Sequence, residues 1–342
     1  MNRMKKWKMF MLFILSLTLL ASSAQAASEQ VTLKFVGDVM FAGSVDRLLQ
    51  KNGYRYPYKY VGDSLRNADL TAATLETSVS TRGKPEDKQY AFRSHPANLK
   101  ELATAGIDVV TLANNHSMDY GVAALLDTMR HLTTNKIDYV GAGADRKRAF
   151  SPVYRSVKGI RVAYLGFSRV VPTTAWIAGK NKPGTADTYN PAEAVSSIKL
   201  AQKHADVVVV LAHWGVERSD LPADYQKSLA RRYIDAGADL VVGSHPHVLQ
   251  GFEQYKGKWI AYSLGNFIFT TNSVAKTWDS GILTATCTKK AACQLQFLPV
   301  LTKYAQPKPM QGAQARALLQ RLSKASFSVD IDGSGKIQLR KK

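Results

Sequence analysis

Five short segments of the chain place histidine, carboxylate or amide side chains directly after runs of apolar residues. The last segment has two histidines two residues apart, so on an extended backbone both imidazoles point to the same side. Imidazole nitrogens, carboxylate oxygens and amide oxygens together suit manganese, zinc or iron. The set indicates a site for one or two divalent metal ions, with water as the attacking group of a hydrolysis. The segments are Gly37-Asp38, Leu75-Glu76, Asn114-Asn115-His116, His213-Trp214-Gly215 and His245-Pro246-His247.

Each segment by itself is weak evidence for a metal site. Glycine and aspartate often follow a strand, and histidines can simply cap strand ends. Lone histidines elsewhere, such as His95, His131 and His204, are typical of surfaces and helix caps. The ordered combination of five such endings is what favours metal binding.

Alternating strand and helix patterns surround these segments. Gly106 and Gly237 end two helices, and Asn190 caps a third that has Pro191 in its first position. Strands separated by helices of this length predict an α/β domain, with the five polar endings converging on one rim of one sheet. The predicted strands are 31–36, 108–112, 161–167, 206–211, 239–242 and 259–263, and the predicted helices are 96–105, 122–134, 191–205 and 222–236.

The chain divides into three parts. Residues 1–26 have the order of a secretory signal, with four cations, a charge-free run over 9–20 and Ala24-Gln25-Ala26 as the cleavage site. The run is shorter than the ~20 residues of a membrane span, so cleavage is predicted, with an uncleaved anchor as the alternative. Residues 27–300 read as one large domain and 301–342 as its basic C-terminal appendage. The protein is therefore expected outside the cell, in the periplasm or on the outer face of the cytoplasmic membrane.

The chain is strongly basic. Its formal net charge of +20 falls to +16 without residues 1–26, and residues 301–342 hold seven of those sixteen charges. A basic exported protein is expected to meet anionic partners such as lipid headgroups or cell-surface polymers. Export removes nucleic acid from the expected partners. The alternative is a basic surface that serves only solubility.

The two cysteines of the chain, Cys287 and Cys293, have five residues between them and lie between two alternating segments that read as a hairpin. In an exported protein, a pair placed in this way favours a local disulfide over a metal site. Free thiols are the alternative.

The ordered set of endings resembles the signature of the calcineurin-like metallophosphoesterases. It is more similar still to the CapA/PgsA-like proteins of poly-γ-glutamate capsule synthesis, in order over residues 31–270. This resemblance implies a metallophosphoesterase-like layered α/β sandwich with the metal site at the C-terminal ends of the strands. It rests on Phe35-Val-Gly-Asp-Val-Met40, Ala113-Asn-Asn-His-Ser-Met-Asp-Tyr-Gly121, His213-Trp-Gly215, Gly243-Ser-His-Pro-His-Val248 and Ser263-Leu-Gly-Asn-Phe267.

The resemblance divides six ligands between two metal ions, with one carboxylate bridging both. The first ion would be bound by Glu76, Asn115, His213 and His245, and the second by Asp38, Glu76 and His247.

The resemblance also implies roles for residues beside the ions. His116 would protonate a leaving group or orient an oxyanion of the substrate, with Asp119 as its partner. Asn114 and Asn266 are candidates for holding the ligands in place.

Two positions depart from the metallophosphoesterase signature. Met40 stands where the signature has a histidine, and a soft thioether is a poor substitute for imidazole. Glu76 stands where the bridging residue is an aspartate, which lengthens the bridge by one methylene. The ion bound by Asp38 is therefore expected to be the weaker one.

Two functions follow from the resemblance. The first is a metal-dependent hydrolase that acts on a phosphoester or amide bond of an anionic polymer, such as poly-γ-glutamate, or of its precursor. The second is a non-catalytic assembly factor that uses its metal and its basic surface to hold the polymer near a membrane synthase.

Overall fold

The computed structural model describes residues 29–340, so the predicted signal segment lies outside the described residues. Within this range, no helix is both long and apolar enough to cross a membrane. The helices are α1 (Ser44–Asn52), α2 (Gly62–Arg66), α3 (Ala97–Thr104), α4 (Gly121–Thr134), α5 (Arg146–Phe150), α6 (Ala192–Gln202), α7 (Asp224–Asp235) and α8 (Gly312–Ala325). Short 3-10 turns lie at Tyr56–Tyr58, Thr174–Trp176 and Ala275–Trp278.

Single strands and short runs of strands lie between these helices. The first ten are β1 (Gln30–Val39), β2 (Leu70–Leu75), β3 (Ser78–Val79), β4 (Arg93–Ser94), β5 (Val109–Thr111), β6 (Asp138–Val140), β7 (Ala142–Gly143), β8 (Val153–Val157), β9 (Ile160–Ser168) and β10 (Gly184–Thr185). The next ten are β11 (Val207–His213), β12 (Leu240–Ser244), β13 (Leu249–Tyr255), β14 (Lys258–Leu264), β15 (Asn266–Ile268), β16 (Asp279–Thr288), β17 (Cys293–Lys303), β18 (Gln306–Pro309), β19 (Val329–Ile331) and β20 (Lys336–Leu339).

Two sheets carry most of these strands. The large sheet has the order β19-β20-β17-β16-β1-β2-β5-β6, with β15 also paired to β1 and β18 to β17. The small sheet has the order β13-β14-β12-β11-β9-β8. Strands β1, β2, β5 and β6 run parallel in the large sheet, and β9, β11, β12 and β14 run parallel in the small one.

The apolar sequence of the central strands explains the layered packing. Every residue of β11 is buried, because one face of the strand packs on the large sheet and the other on helices. Leu33, Phe35 and Val209 belong to the core between the two sheets. A second core covers the outer face of the large sheet and a third the outer face of the small sheet. The expected layered α/β sandwich is confirmed.

The expectation that all five polar endings belong to one sheet is wrong. Asp38, Glu76 and Asn115 are supplied by the large sheet, at the ends of β1, β2 and β5. In the small sheet, His213 is the last residue of β11 and His245 follows β12. The sequence pattern marks where a strand ends but not which strand pairs with it, since pairing is set by contacts distant in sequence. The two sheets bring their polar endings to one shared edge.

Element boundaries differ modestly from the predicted ones. The helix predicted over 191–205 ends at Gln202, because the next residues turn away. Lys203 and His204 donate backbone N–H groups to carbonyls three residues earlier, which tightens the last turn. At the other end the helix begins at Ala192 with Pro191 at its cap, one residue later than predicted, and the side chain of Asn190 accepts from the N–H of Ala192.

The C-terminal region extends the large sheet. Strands β16 and β17 form a hairpin, and Cys287 is joined to Cys293 by a disulfide across it, with Cα atoms 4.1 Å apart. Helix α8 crosses close to β13 at Gly251, where a Cβ atom would lie 2.2 Å from the carbonyl oxygen of Ala325. Strands β19 and β20 then add to the edge beyond β17.

Candidate metal centre

The strand that carries Asp38 approaches its neighbour unusually closely. A Cβ atom on Gly37 would lie only 1.8 Å from the carbonyl oxygen of Gly265, so no other residue type fits at position 37 without a backbone shift. The N–H of Asp38 donates to the same carbonyl at 2.9 Å. In register, Asp38 lies opposite both Thr74 and Asn266. This contact fixes the carboxylate of Asp38 between β2 and β15.

One group of side chains comes together at the ends of β2, β5, β11 and β12. The carboxylate of Glu76 and one nitrogen each of His213 and His245 lie within 4.8 Å of one another. His213 Nε2 is 2.7 Å from Asn115 Oδ1 and 3.7 Å from Glu76 Oε1. These four residues are the set expected for the first ion.

A second group shares Glu76 and lies on the side of β1. Ligand atoms of Asp38, Glu76 and His247 lie within 4.8 Å of one another. His247 Nδ1 is 3.4 Å from Asp38 Oδ2, and His247 Nε2 is 4.0 Å from Glu76 Oε1. Glu76 therefore lies between the two groups, in the place expected of a bridging carboxylate.

The ligand atoms themselves test whether a cation fits here. Asp38 and Glu76 are fully buried, and Asp38 Oδ1, both carboxylate oxygens of Glu76 and His245 Nδ1 have no hydrogen-bond partner. A buried charge without a partner costs several kcal/mol, and a bound cation removes that cost. Both groups therefore fit divalent metal ions.

Protonation of the same residues follows from their burial. Burial, followed by the proximity of Asp38, raises the pKa of Glu76 well above its usual value. Burial and the nearby His247 lower the pKa of His245 to about 3, and burial together with His245 lowers that of His213. Both imidazoles are therefore neutral at pH 7, which is the form that binds a metal ion. A bound cation would also return Glu76 to its ionised form.

The segment between β12 and β13 holds its histidines in a strained backbone conformation. His245 and His247 have φ angles of 95° and 57°, in the left-handed region that residues other than glycine seldom adopt. The N–H of Arg218 donates to the carbonyl of Pro246 at 2.7 Å and fastens the segment from outside. Such strain persists where the surroundings enforce it and is frequent at functional sites.

Hydrogen bonds at Nδ1 orient the imidazoles of His247 and His213. Asn266 Oδ1 lies 2.9 Å from His247 Nδ1, so it can accept that proton and leave Nε2 free to face Glu76. Ser244 Oγ lies 3.0 Å from His213 Nδ1 and has the same effect on His213. Asn266 therefore contacts the expected ligand His247 directly, which is what holding a ligand in place requires.

Asn114 holds the turn after β5 rather than a ligand side chain. Its Nδ2 donates to the carbonyl of Leu75, and its Oδ1 accepts from the N–H of His116 and from Ser117 Oγ. The turn that carries Asn115 is thereby tied to the end of β2.

His116 stands beside the ligands, with its ring held from two sides. Asp119 Oδ2 is 2.7 Å from its Nδ1, and the ring of Phe92 packs on it with centroids 4.6 Å apart. Lys88 Nζ donates to Asp119 Oδ1 and to the carbonyl of Asn115, both at 2.7 Å. Nδ1 therefore donates to Asp119, and Nε2, 4.0 Å from Glu76, faces the ligands.

Comparison with known proteins agrees with these motifs. The family model described as "Bacterial capsule synthesis protein PGA_cap" matches residues 32–271, which include all six expected ligands. The chain belongs to this family. This confirms the resemblance to CapA/PgsA-like proteins.

Relatives of this capsule synthesis protein match over most of its length. It is 36% identical over 294 residues to the capsule biosynthesis protein CapA of Bacillus anthracis, covering 84% of this chain and 71% of that one. Identity to the PGA biosynthesis protein CapA of Bacillus subtilis (strain 168) is 34% over 329 residues, covering 91% and 85%. A probable polyglutamine synthesis accessory protein of Mycobacterium tuberculosis is 30% identical over 284 residues, covering 70% and 74%.

The sulfur of Met40 has a partner in the backbone. The side chain of Met40 is fully buried in the core outside the large sheet, and its sulfur accepts the N–H of Ala42. The thioether is therefore engaged elsewhere.

Sequence reasoning missed three residues that line the site: Lys88, Phe92 and Glu217. Lys88 and Phe92 lie on the long connection between β3 and β4, where no strand ending marks them. Glu217 lies two residues beyond the His213-Trp214-Gly215 segment and has ligand atoms near His245 and His247. Proximity to that segment is the one signal that could have found Glu217.

Proposed function

We propose that this capsule synthesis protein is an exported, metal-dependent hydrolase. Its substrate would be a phosphoester or amide bond of an anionic polymer such as poly-γ-glutamate, or of a precursor. The observation that carries the proposal is the set of buried, unpartnered ligand atoms on Asp38, Glu76 and His245, which meet beside an oriented His116. A purely structural role for these residues leaves those unpartnered atoms unexplained.

The proposed chemistry divides between the ions and His116. One or two divalent ions (manganese, zinc or iron) would supply Lewis-acid polarisation of the bond under attack. Burial lowers the pKa of His116, although the hydrogen bond that its ring donates to Asp119 opposes this shift. At neutral pH the ring is therefore neutral, with its proton on Nδ1. Nε2 can accept a proton from the attacking group and return it to the leaving group.

Lys88 would help to set the geometry of this step. It lies between Asp119 and the backbone of Asn115, so its ammonium group links the partner of His116 to the ligand turn. Its Nζ also lies 5.2 Å from the ring centre of Trp176. Such a tether limits the freedom of the His116 ring, which general acid–base catalysis requires to be positioned within hydrogen-bond reach of the reacting atoms.

The proposal predicts metal-dependent hydrolysis. Purified protein lacking residues 1–26 should contain manganese, zinc or iron by elemental analysis and should cleave a phosphoester or an amide-linked glutamate substrate when the metal is present. Chelation should abolish cleavage, and adding back one of the three ions should restore it. Metal-free protein that binds none of them on titration would contradict the proposal.

The second candidate is an assembly factor, favoured by the positive charge of the surface. Arg316 and Lys324 on α8 form no ion pair within residues 29–340, whereas Arg321 on the same helix pairs with Asp279 at 2.6 Å. Free cations attract a polyanion by long-range electrostatics. In this version the protein would hold the polymer near a membrane synthase without cleaving it.

Export is part of both proposals and has its own test. If residues 1–26 are a cleaved signal, mass spectrometry of protein recovered outside the cytoplasm should give a chain beginning at or near Ala27. Full-length protein found only in the membrane fraction would instead support the uncleaved anchor.

A further inference from the structure

Glu217 occupies a position beside the metal centre that none of the roles above uses. It lies on the loop of residues 214–223, between β11 and α7, and is solvent-exposed. One of its carboxylate oxygens and one nitrogen each of His245 and His247 lie within 4.8 Å of one another. Among the described residues it has no lysine or arginine partner at ion-pair distance. Its carboxylate therefore faces two imidazoles rather than a cation of the chain.

The loop that carries Glu217 is fixed on both sides of it. Before it, the backbone N–H of Trp214 donates to Ser244 and its indole N–H donates to the carbonyl of Tyr262. After it, the N–H of Arg218 donates to the carbonyl of Pro246, between the two histidines. The position of Glu217 over the histidine segment is thus set by the backbone rather than by a freely moving loop.

The two ions expected at the centre have unequal ligand sets. Four residues surround the first, whereas three, with Glu76 shared, surround the second. The sulfur of Met40 is engaged with a backbone N–H and adds no donor. The side of His247 is therefore short of donors, and Glu217 approaches on that side.

Unpartnered buried atoms on this side of the centre also point to a metal ion. Asp38, on the side of the second ion, is fully buried and its Oδ1 has no hydrogen-bond partner. His245 is only 5% exposed, and its Nδ1 has no hydrogen-bond partner. A buried imidazole nitrogen without a partner is expected to have one in the functional state. Charge agrees, because Asp38, Glu76 and Glu217 bring three carboxylates together, and two divalent cations would offset their repulsion.

We propose that Glu217 is a seventh ligand of the metal centre and binds on the side of His247. The proposal rests on the metal-dependent function proposed above and adds the identity of the ion on that side. With Asp38, Glu76 and Glu217 the second ion has mostly oxygen donors, whereas the first has two imidazoles. Oxygen-rich sets suit manganese and imidazole suits zinc, so the second ion is manganese in preference to zinc.

The test is a metal titration of the full set of variants, without use of any substrate. Wild type, Glu217→Gln, Glu217→His and the control Asp220→Asn are depleted of metal, titrated with Mn²⁺ or Zn²⁺, and followed by elemental analysis and Mn²⁺ electron paramagnetic resonance. Asp220→Asn removes the same charge from the same loop, but Asp220 pairs with Lys276 and is absent from the ligand groups.

Wild type should bind two Mn²⁺ ions with a spin-coupled signal. Glu217→Gln should keep the first ion, weaken the second by at least the order of 10–100-fold that loss of a ligand's supporting partner costs, and lose the coupled signal. Glu217→His should shift the second ion towards Zn²⁺, and Asp220→Asn should behave as wild type.

Three results would overturn the proposal, and they separate it from the function on which it rests. Equal second-ion affinity in wild type and Glu217→Gln, or an equal loss in Asp220→Asn, would remove Glu217 as a ligand while leaving the centre intact. Wild type that binds neither metal would overturn the centre and this inference together. Because Glu217 is exposed, its substitution should leave the melting temperature of the metal-free protein unchanged, which separates loss of a ligand from misfolding.

Discussion

Replacing either His213 or His245 by alanine should remove most of the bound metal. Each variant removes a neutral nitrogen ligand from the group that has more donors, in which Glu76 and Asn115 also take part. Loss of a residue that merely supports a ligand already costs on the order of 10–100-fold in metal affinity, so loss of the ligand itself should cost more. His247→Ala should cost less, because it belongs to the group with fewer donors.

Thermal stability gives a second measurement of the same loss. A metal ion that binds only the folded protein at a concentration of 100 times its Kd stabilises it by about 2.7 kcal/mol. Chelation should therefore lower the melting temperature of wild type by several degrees and leave that of His213→Ala and His245→Ala almost unchanged.

His204→Ala is the matched control, because His204 is exposed and lies outside the ligand groups. It should keep both the bound metal and the effect of the chelator. If all three ligand variants retained the metal content of wild type, these histidines would be strand caps and the proposed centre would be absent.

The sequence could predict those residues of the centre that lie at the ends of strands. Asp38, Glu76 and His213 each follow a buried run, and because parallel strands place their carboxyl ends together, such residues can be assigned to one edge without coordinates. The two-residue spacing of His245 and His247 added two imidazoles to the set. These signals are local in sequence, and the structure brings the residues that carry them close together.

What could not be predicted depends on contacts between distant parts of the chain. The division of the strands between two sheets follows from pairings such as that of β1 with β16, in which Gln30 lies opposite Thr288, far away in the sequence. That sheet partner leaves no mark in the periodicity of either strand. Lys88 reaches His116 from a connection with no strand or helix pattern. Glu217 lies on a loop whose position is set by Pro246.

The structure also changes the interpretation of Met40. At position 40 the sequence shows only that a methionine replaces a histidine, whereas the structure shows that its sulfur is already bonded to the backbone of Ala42. The side of the centre around His247 is therefore short of a donor for a structural reason, and an exposed carboxylate lies beside it. The sequence predicted weaker binding of the second ion because of Met40. In the structure, the carboxylate of Glu217 lies beside the same side of the centre.

The role of His116 separates the enzyme from the assembly factor. His116→Ala should leave the bound metal close to that of wild type, because the ring lies beside the ligands and donates its Nδ1 proton to Asp119. If the protein is a hydrolase, turnover should fall by ~10²–10⁴, the usual contribution of general acid–base catalysis. Asp119→Asn should reproduce part of this loss, because it removes the carboxylate that holds the ring.

Polymer production in cells gives the result that decides between the two functions. If the protein is a hydrolase, polymer yield should fall with His116→Ala, whereas the control His95→Ala, at an exposed histidine away from the ligands, should keep the yield of wild type.

If the protein is an assembly factor, the reverse pattern is expected. It should tolerate His116→Ala but lose yield when Arg316 and Lys324 are changed to glutamine, and its polyanion binding should weaken with added salt, because exposed charges are screened over about 10 Å at 0.1 M ionic strength. Yield of wild type from a folded, metal-loaded His116→Ala protein would exclude the catalytic function, since the other imidazoles around Glu76, those of His213, His245 and His247, are the expected metal ligands.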